Sequence, residues 1–382
     1  MLTSVWGAVV LAGLVAVAAP LILRPFLRRF GVQDVPNHRS SHSRPTLRGG
    51  GLAPLAGLTL GCVVAIFALG PGAEPEGSLT DVPTLLTGAA EASPLLLVCA
   101  IAAATGLLGL VEDLRGLPVL VRAAGQCAAG AALLTVLSIS IGFYWMWIPL
   151  GALCFAAYVN IANFMDGVNG ISSLHGLATG LSFTALGWMS STDWMVISGL
   201  LLATCFITFL PWNLIRPGMF LGDVGSYLLG GAVAAIAITA MATGLPVMAI
   251  VAPMAIYVAD TMTTLVRRAL RGEPILHSHR THTYQRLTDL GLSHMAVSAL
   301  VTLLTVVCSL SGLAVAAGAV SELSGALVIT AAIVVYLALP RLGAARVARR
   351  TKRTEAAEPA LLPPDTAPSH RETVPRRTDE GS

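Results

Sequence analysis

Residues 93–113 read SPLLLVCAIAAATGLLGLVED, an apolar stretch over 93–111 that ends in the carboxylates Glu112 and Asp113. Its length is close to the roughly 20 residues that a helix needs to cross a bilayer. About ten other stretches of similar character recur along the chain. With this one, the predicted spans are 4–23, 51–70, 93–111, 122–141, 143–162, 171–190, 194–212, 224–243, 246–265, 295–316 and 321–339. The pattern predicts an all-α, polytopic transmembrane helix bundle of about 11 spans.

The composition excludes the other broad classes of protein. Of 382 residues, 55% are hydrophobic and 11% are charged, whereas a soluble domain carries roughly 25% charged residues. The hydrophobicity is too high for a disordered chain. Small residues are frequent within the spans and let membrane helices approach closely, so we expect one integral-membrane domain over 1–340. The segment 341–382 is basic and then low in complexity, and it is predicted to be a disordered cytoplasmic tail.

The distribution of charge predicts the orientation in the membrane. All 23 Lys and Arg residues lie in loops that follow odd-numbered spans or beyond the last span. The charged residues of the opposite loops are all acidic: Glu74, Glu76, Asp81, Glu91, Asp193 and Glu322. By the positive-inside rule, the N-terminus is predicted to lie outside and the C-terminus in the cytoplasm.

The first loop of the predicted cytoplasmic face combines basic side chains with glycines. Arg39, His42 and Arg48 precede a glycine triplet that begins with Gly49 and Gly50. Glycines that open a helix offer backbone N–H groups and the positive end of the helix dipole, which suit a phosphate. The alternative is a solvated basic loop that only fixes topology.

Carboxylates occur at two predicted helix ends. Glu112 and Asp113 end span three, where adjacent carboxylates are costly unless a cation or a proton transfer uses them. The alternative is a helix-end charge paired with Arg115. Asp223, flanked by glycines, opens span eight. A carboxylate there can hold a divalent ion that also contacts a phosphate, or it can simply cap the helix.

The segment between spans five and six is unusually polar. Residues 160–170 read NIANFMDGVNG and carry Asn160, Asn163, Asp166 and Asn169. Side chains three apart share one face of a helix, which groups Asn160 with Asn163 and Asp166 with Asn169. Their amide and carboxylate groups suit hydrogen bonds to a base edge or a hydroxyl, although an idle turn is the alternative.

A basic, histidine-containing loop follows span nine, near whose cytoplasmic end Asp260 lies. Three histidines at this spacing could bind a transition metal, but the arginines among them disfavour a dication. An anion-binding loop for a pyrophosphate is therefore the preferred prediction. The histidines and arginines of the loop are His277, His279, Arg280, His282 and Arg286.

At these residues the sequence resembles the polyprenyl-phosphate N-acetylhexosamine-1-phosphate transferases, the family that includes phospho-N-acetylmuramoyl-pentapeptide translocase. The resemblance covers about residues 30–290, and its most specific marks are the runs 163–170 (NFMDGVNG) and 220–226 (FLGDVGS). The family usually has an Asp-Asp pair where this chain has Glu112 and Asp113, so Asp113 is the safer catalytic assignment. Many members also have Asp where Asn169 stands.

The resemblance implies transfer of a sugar-1-phosphate, in particular N-acetylhexosamine-1-phosphate, from a UDP-sugar to a membrane polyprenyl phosphate. The products would be a polyprenyl-pyrophosphoryl sugar and UMP, as the first membrane step of a cell-envelope glycan pathway of the O-antigen or capsule type. It also implies a bacterial inner or plasma membrane, an active site on the cytoplasmic face and Mg²⁺ as cofactor, with Mn²⁺ as a substitute. The expected partners are the UDP-sugar, the polyprenyl phosphate and the membrane, with a homodimer as an option and no nucleic acid.

The resemblance further implies roles for individual residues. The catalytic candidates are Asp113, Glu112 and Asp223; Asp223 is also the metal ligand, and Asp113 acts on the attacking phosphate as base or by positioning. Nucleotide or sugar binding is assigned to Asn160, Asn163, Asp166, Asn169 and Asn213. Phosphate or pyrophosphate binding is assigned to Arg39, His42, Arg48, Gly49, Gly50, His279, Arg280, His282 and Arg286. Asp260 is a further site residue without an assigned role.

Two other classes of function compete with this prediction. A secondary transporter of a small anionic solute also suits a small-residue bundle with intramembrane carboxylates. Its site should lie near the bilayer midplane, whereas these carboxylates lie at predicted helix ends. A non-catalytic lipid-binding scaffold does not require so many clustered acids.

Overall fold

The structure, a computed structural model, describes residues 2–31, 33–34, 45–69, 92–215, 218–274 and 280–357. Most of these residues are helical, because apolar segments in a bilayer must satisfy their backbone groups internally. The helices are α1 (Leu2–Arg29), α2 (Leu52–Leu69), α3 (Ala92–Arg115), α4 (Val119–Ile141), α5 (Ile148–Met165), α6 (Ile171–Met189), α7 (Asp193–Leu214), α8 (Gly222–Ala242), α9 (Val247–Val251), α10 (Ala255–Leu270), α11 (Thr283–Asp289), α12 (His294–Ala316) and α13 (Glu322–Ala357). Two short strands, β1 (Gln33–Asp34) and β2 (Thr46–Leu47), pair antiparallel.

Nine segments of the described residues are helical, apolar and long enough to cross a membrane. One of them, Val247–Leu270, joins α9 and α10 through a 3₁₀ turn that contains Pro253. Helices α2 and α6 lie at the positions of predicted spans two and six. The predicted all-helical membrane bundle is confirmed, whereas its eleven-span count and its orientation stay predictions.

Helix α8 forms the centre of the bundle and is almost entirely buried. Helices α3 and α5 pack along it, while α1 packs on α2, α4 on α5, and α7 and α12 on α6. Glycines permit the close contacts: a Cβ on Gly109 of α3 would overlap the backbone of Asp223, and one on Gly230 of α8 would lie 2.6 Å from the Cα of Val159. Small residues thus bring the end of α3 against the beginning of α8.

One end of the bundle gathers the loops that carry the polar motifs. The Phe220 N–H donates to the Leu47 carbonyl (2.8 Å), and the Gly50 N–H donates to the Phe220 carbonyl (2.9 Å). These bonds fix the segment before α2 against the segment before α8. Arg48, which lies between the two bonded residues of the first segment, is thereby placed beside the first turn of α8.

By its internal contacts the chain divides into two units, Met1–Pro340 and Arg341–Ser382. Helix α13 continues to Ala357. The rest of the tail that the sequence predicts to be disordered lies outside the described residues.

Candidate active site

Arg48 lies between two carboxylates that are distant in sequence. Its Nη2 atom is 3.3 Å from Oδ1 of Asp113 and 3.5 Å from Oδ2 of Asp223. The Asp113 side chain is fully buried, whereas that of Asp223 is 17% exposed. Two carboxylates at this spacing repel each other, and the guanidinium offsets that repulsion. The centre of the site is therefore a cation-bridged carboxylate pair with Asp223 on its accessible side.

Asp113 also binds the N-terminus of α8. Its Oδ2 atom accepts a hydrogen bond from the Val224 N–H (3.0 Å), one of the amides that have no partner within the helix. Its Oδ1 atom, buried beside Arg48, accepts no hydrogen bond within the described part of the chain. Asp223 was one candidate for the residue that caps this helix. The structure shows Asp113 bonded to the helix N-terminus instead, so the Asp223 carboxylate can bind other partners.

Asn163 holds the other oxygen of Asp223. Its Nδ2 group donates to Oδ1 of Asp223 (2.7 Å) and lies 3.0 Å from Oγ of Ser226. Because Ser226 is one helical turn after Asp223, both face the end of α5. The structure therefore joins the two most specific sequence runs, 163–170 and 220–226, through a single amide.

Asp166 lies just beyond the end of α5 and accepts a hydrogen bond from the Ser172 hydroxyl (2.7 Å). Burial raises the pKa of the Asp166 carboxyl to about 7. The bond from Ser172 opposes that rise, and the nearby Asp223 carboxylate adds to it. Asp166 thus belongs to the same electrostatic cluster as Asp223.

Asn213 links the two loops that carry these acids. Its Oδ1 accepts from the Gly170 N–H (2.5 Å), and its Nδ2 donates to the Met219 carbonyl (3.0 Å). Predicted to bind nucleotide or sugar, this side chain instead bonds backbone on both sides. Its observed contacts set the spacing between the loop after Asp166 and the loop before Asp223.

Glu112 and Asn160 lie apart from this centre. Glu112 pairs with Arg122 (3.0 Å) rather than with Arg115, and it also accepts the Leu117 N–H (2.5 Å). Successive residues on a helix do not face the same neighbour, so Glu112 and Asp113 separate. Asn160 donates to Gln126 (2.5 Å) and to its own helix, one turn away from the contacts of Asn163.

The glycine triplet serves helix packing in this structure. The N–H groups of Gly50 and Gly51 donate to the carbonyls of Phe220 and Leu221, so they are not directed at a ligand. A Cβ on Gly51 would overlap the backbone of Gly225. The predicted phosphate cradle is therefore not seen at Gly50, and Gly49 has the left-handed backbone (φ 84°) that turns the chain into α2. Arg39 and His42 lie outside the described residues.

The basic loop after α10 is organised around Asp260. His282 is almost completely buried, and its Nδ1 lies 3.3 Å from Oδ1 of Asp260. The imidazole therefore faces Asp260. The predicted role of His282, pyrophosphate binding, would need the ring to face the ligand. Arg280 pairs with Asp289 (3.1 Å), and Arg286 is half-buried on α11. His277 and His279 lie outside the described residues.

Asn169, which the sequence predicts to bind nucleotide or sugar, makes its described contacts through its backbone. Its carbonyl accepts from the Ser298 hydroxyl (2.9 Å), and its N–H reaches Nδ1 of His294 at 3.5 Å. Helix α12 thus holds the turn before α6. Ser172 and Ser226 were not predicted as site residues, although the position of Ser226 one turn after Asp223 was a usable signal.

The close approach at the first turn of α8 gives a stability prediction. Gly222 has φ 74°, and a Cβ there would lie 2.6 Å from Oδ2 of Asp113. Gly244 has a similar φ of 83° but no atom within 4 Å of its Cβ position. Ala at either site costs roughly 1–2 kcal/mol of backbone strain, and overlap at Gly222 adds about 1–3 kcal/mol.

We therefore expect Gly222→Ala to lower the thermal midpoint in detergent clearly more than Gly244→Ala does. The measurement is unfolding followed on both purified variants and the wild type. Equal midpoints for the two variants would show that Asp113 does not closely contact the start of α8.

Part of the sequence matches a known family model. Residues 95–241 match the family model for glycosyl transferase family 4. That range contains Asp113, Asn163, Asp166 and Asp223, whereas Arg48 and helix α11 lie outside it.

Curated relatives match over longer ranges. The chain is 29% identical over 309 residues to the decaprenyl-phosphate N-acetylglucosaminephosphotransferase of Mycobacterium leprae, which covers 70% of this chain and 73% of that protein. It is 25% identical over 326 residues to the probable undecaprenyl-phosphate N-acetylglucosaminyl 1-phosphate transferase of Bacillus subtilis, covering 80% of this chain and 84% of the relative. A shorter match, 33% identical over 103 residues, covers 27% of this chain and 32% of the phospho-N-acetylmuramoyl-pentapeptide-transferase of Halalkalibacterium halodurans. The resemblance seen in the motifs is thereby confirmed: this chain is related to the polyprenyl-phosphate N-acetylhexosamine-1-phosphate transferases of glycosyl transferase family 4.

Proposed function

We propose that this protein transfers a sugar-1-phosphate, N-acetylglucosamine-1-phosphate in the first instance, from a UDP-sugar to a membrane polyprenyl phosphate. The sugar follows the names of the decaprenyl- and undecaprenyl-phosphate relatives, which are N-acetylglucosamine phosphotransferases. An oxygen of the lipid phosphate attacks the sugar-bearing phosphorus of the donor. The bond from that phosphorus to the UMP oxygen breaks, and UMP leaves.

The observation that carries the proposal is the Arg48 bridge between Asp113 and Asp223 at the first turn of α8. Both substrates are anions, and a phosphoryl transfer is accelerated mainly by positioning and by neutralising the transferred group. The N-terminus of α8 and the Arg48 guanidinium lie together and supply fixed positive charge for such a group. Asn163, which holds Asp223, keeps the carboxylate oriented toward that point.

The contacts of Asp113 favour a positioning role over a role as general base. One of its oxygens binds the Val224 N–H, and the side chain is fully buried. A group that abstracts a proton must come within hydrogen-bond reach of it. Asp113 instead fixes Arg48 from one side and the start of α8 from the other, and Arg48 then faces the substrate phosphates.

The donor set fits a divalent ion of the magnesium type. Mg²⁺ binds proteins through one or two carboxylates together with substrate phosphates. Oδ2 of Asp223 and Oδ1 of Asp113 are such oxygens, and both already face a cation, the Arg48 guanidinium, at 3.5 and 3.3 Å. An ion bound to them would take the place of that group, which would turn to the substrate phosphates. The described residues contain no group of three or more His, Cys, Asp or Glu side chains suited to a metal, so the donor diphosphate would complete the ligands. Bound there, Mg²⁺ or Mn²⁺ would neutralise the diphosphate and improve UMP as a leaving group.

Eleven spans with the N-terminus outside would place this end of the bundle at the cytoplasmic face of a bacterial plasma membrane. Confinement of every Lys and Arg to one set of loops supports that orientation. UDP-sugars are supplied from the cytoplasm, so an active site on this face is consistent with the reaction. The carboxylates lie at helix ends, which does not favour the transporter alternative.

The test is a transfer assay on the purified, full-length protein. With UDP-N-acetylglucosamine, decaprenyl phosphate and Mg²⁺, we expect a lipid-linked sugar and an equal amount of UMP. Omitting the polyprenyl phosphate should remove both products, and chelation with EDTA should stop turnover. A panel of UDP-sugars identifies the preferred donor. If no UDP-sugar gives a lipid product, the proposed function is wrong, and uptake of the sugar nucleotide into sealed vesicles would then favour a transporter.

A further inference from the structure

Asp260 is a fully buried carboxylate with an unusually large set of donors. Its Oδ1 accepts the Thr283 N–H (2.9 Å), and its Oδ2 accepts the Tyr284 N–H (3.2 Å). The Tyr336 hydroxyl donates to Oδ2 at 2.6 Å. His282 and Thr264 complete the set, each at 3.3 Å from Oδ1. A buried charge with this many partners is fixed in one geometry.

The two backbone donors belong to the first turn of α11. This helix has seven residues, Thr283–Asp289, and so short a helix is not stable by itself in isolation. Its first amides lack partners within the helix. A carboxylate at this position accepts their hydrogen bonds and is attracted by the positive end of the helix dipole. Asp260 thus supplies from α10 the contacts that keep α11 formed.

Helix α11 in turn contacts the end of α5. The Tyr284 hydroxyl donates to the Phe164 carbonyl (2.9 Å). A Cβ on Gly167 would overlap that hydroxyl, so the absence of a side chain at Gly167 allows the approach. Phe164 and Gly167 flank Asp166, and Asn163 of the same segment binds Asp223. The position of α11 is therefore coupled directly to the segment that holds the site carboxylates.

Tyr336 extends this coupling to the last helix of the bundle. It lies on α13 and is completely buried. Its hydroxyl is bonded to the oxygen of Asp260 that also accepts the Tyr284 N–H. Removing the hydroxyl would leave that oxygen with one donor fewer and α11 less firmly held, because hydrogen bonds to charged groups are the stronger ones.

We propose that Asp260 and Tyr336 are positioning residues for the sugar-nucleotide site. They hold α11, which carries Arg286, against the end of α5, and so fix the spacing between the basic loop and the carboxylates. Both side chains are fully buried and bonded to each other, so the proposed role is indirect. The role toward a sugar nucleotide rests on the proposed function. The contacts between Asp260 and α11 are independent of it.

The test compares Tyr336→Phe with a matched control, Tyr158→Phe. Tyr158 is also a buried tyrosine, and its hydroxyl lies 3.0 Å from Nε2 of His175 and is not among the described donors to Asp260. We expect amide hydrogen exchange over residues 283–289 to become about tenfold faster in Tyr336→Phe, and to be unchanged in Tyr158→Phe. With UDP-N-acetylglucosamine as the probe, KM should rise about tenfold in Tyr336→Phe with kcat within about twofold of wild type.

A second variant, Asp260→Asn, removes the charge and should change exchange and KM in the same direction by a larger factor. Unchanged exchange over 283–289 in Tyr336→Phe would overturn the proposal, and so would faster exchange with an unchanged KM. Equal KM values for Tyr336→Phe and Tyr158→Phe would show a general packing effect, which also overturns it. If the wild type makes no lipid product from any donor, the proposed function fails, while the exchange measurement still decides whether Asp260 holds α11.

Discussion

Asp223→Asn is expected to lower turnover by on the order of 10³-fold while the protein stays folded and membrane-inserted. The amide has nearly the shape of the carboxylate, and its oxygen can still accept the hydrogen bond from Asn163. The negative charge that faces Arg48 is lost. Because the side chain is at the accessible edge of the pair, the loss acts on substrate and ion rather than on the core of the bundle.

The matched control is Asp193→Asn, at the first turn of α7 on the face predicted to be outside. Both variants should elute as single species in detergent with wild-type thermal midpoints, and only Asp223→Asn should lose lipid-product formation. Wild-type turnover in Asp223→Asn would remove Asp223 from the reaction. Equal losses in both variants would indicate a nonspecific effect of removing a charge.

The architecture was largely predictable from the sequence. Apolar length alone predicts the helices, since the bilayer leaves the backbone few alternatives. Helix α3, for example, covers the predicted span 93–111 and continues through Asp113 to Arg115. The short helix α11 was not predicted, because it is stabilised by a distant carboxylate and has no strong apolar period of its own.

Some of the site was predictable, and the rest depends on packing between helices. The runs around Asn163 and Asp223 are the most specific marks in the sequence, and the structure joins them by a hydrogen bond. Their roles in binding and catalysis stay predictions. Glu112 and Asp113 are adjacent in sequence, but their side chains point in different directions from the helix. Glu112 pairs with Arg122. Helix geometry alone could have shown this.

The glycines and the histidines illustrate what a single sequence does not contain. In the sequence, a glycine that makes room for a phosphate looks the same as a glycine that lets two helices pack closely. Gly51 lets helices pack closely, because Gly225 lies against it. His282 is polar and lies in a basic loop, yet Asp260, a residue 22 positions earlier, holds it in the interior. Such contacts depend on the relative placement of helices, which local patterns do not specify.

Arg48→Ala is expected to lower kcat/KM for the UDP-sugar by about 10²-fold. Without the guanidinium, Asp113 and Asp223 face each other with no protein cation between them, and the donor diphosphate meets two negative charges. Arg48→Lys keeps the charge but loses the planar, multiply donating group that reaches both carboxylates. Its activity should therefore fall between those of the wild type and Arg48→Ala.

The control separates this role from that of a cation that only fixes topology. Arg271 is 64% exposed just after α10, and it pairs with Glu273 at 3.8 Å. Arg271→Ala should retain wild-type transfer activity and insertion. If Arg48→Ala behaves like Arg271→Ala, then Arg48 is one more positive-inside residue, and the carboxylate pair needs no cation from the protein. A loss confined to Arg48→Ala, with partial recovery in Arg48→Lys, would instead require that the pair and its bridge act together on the substrate phosphates.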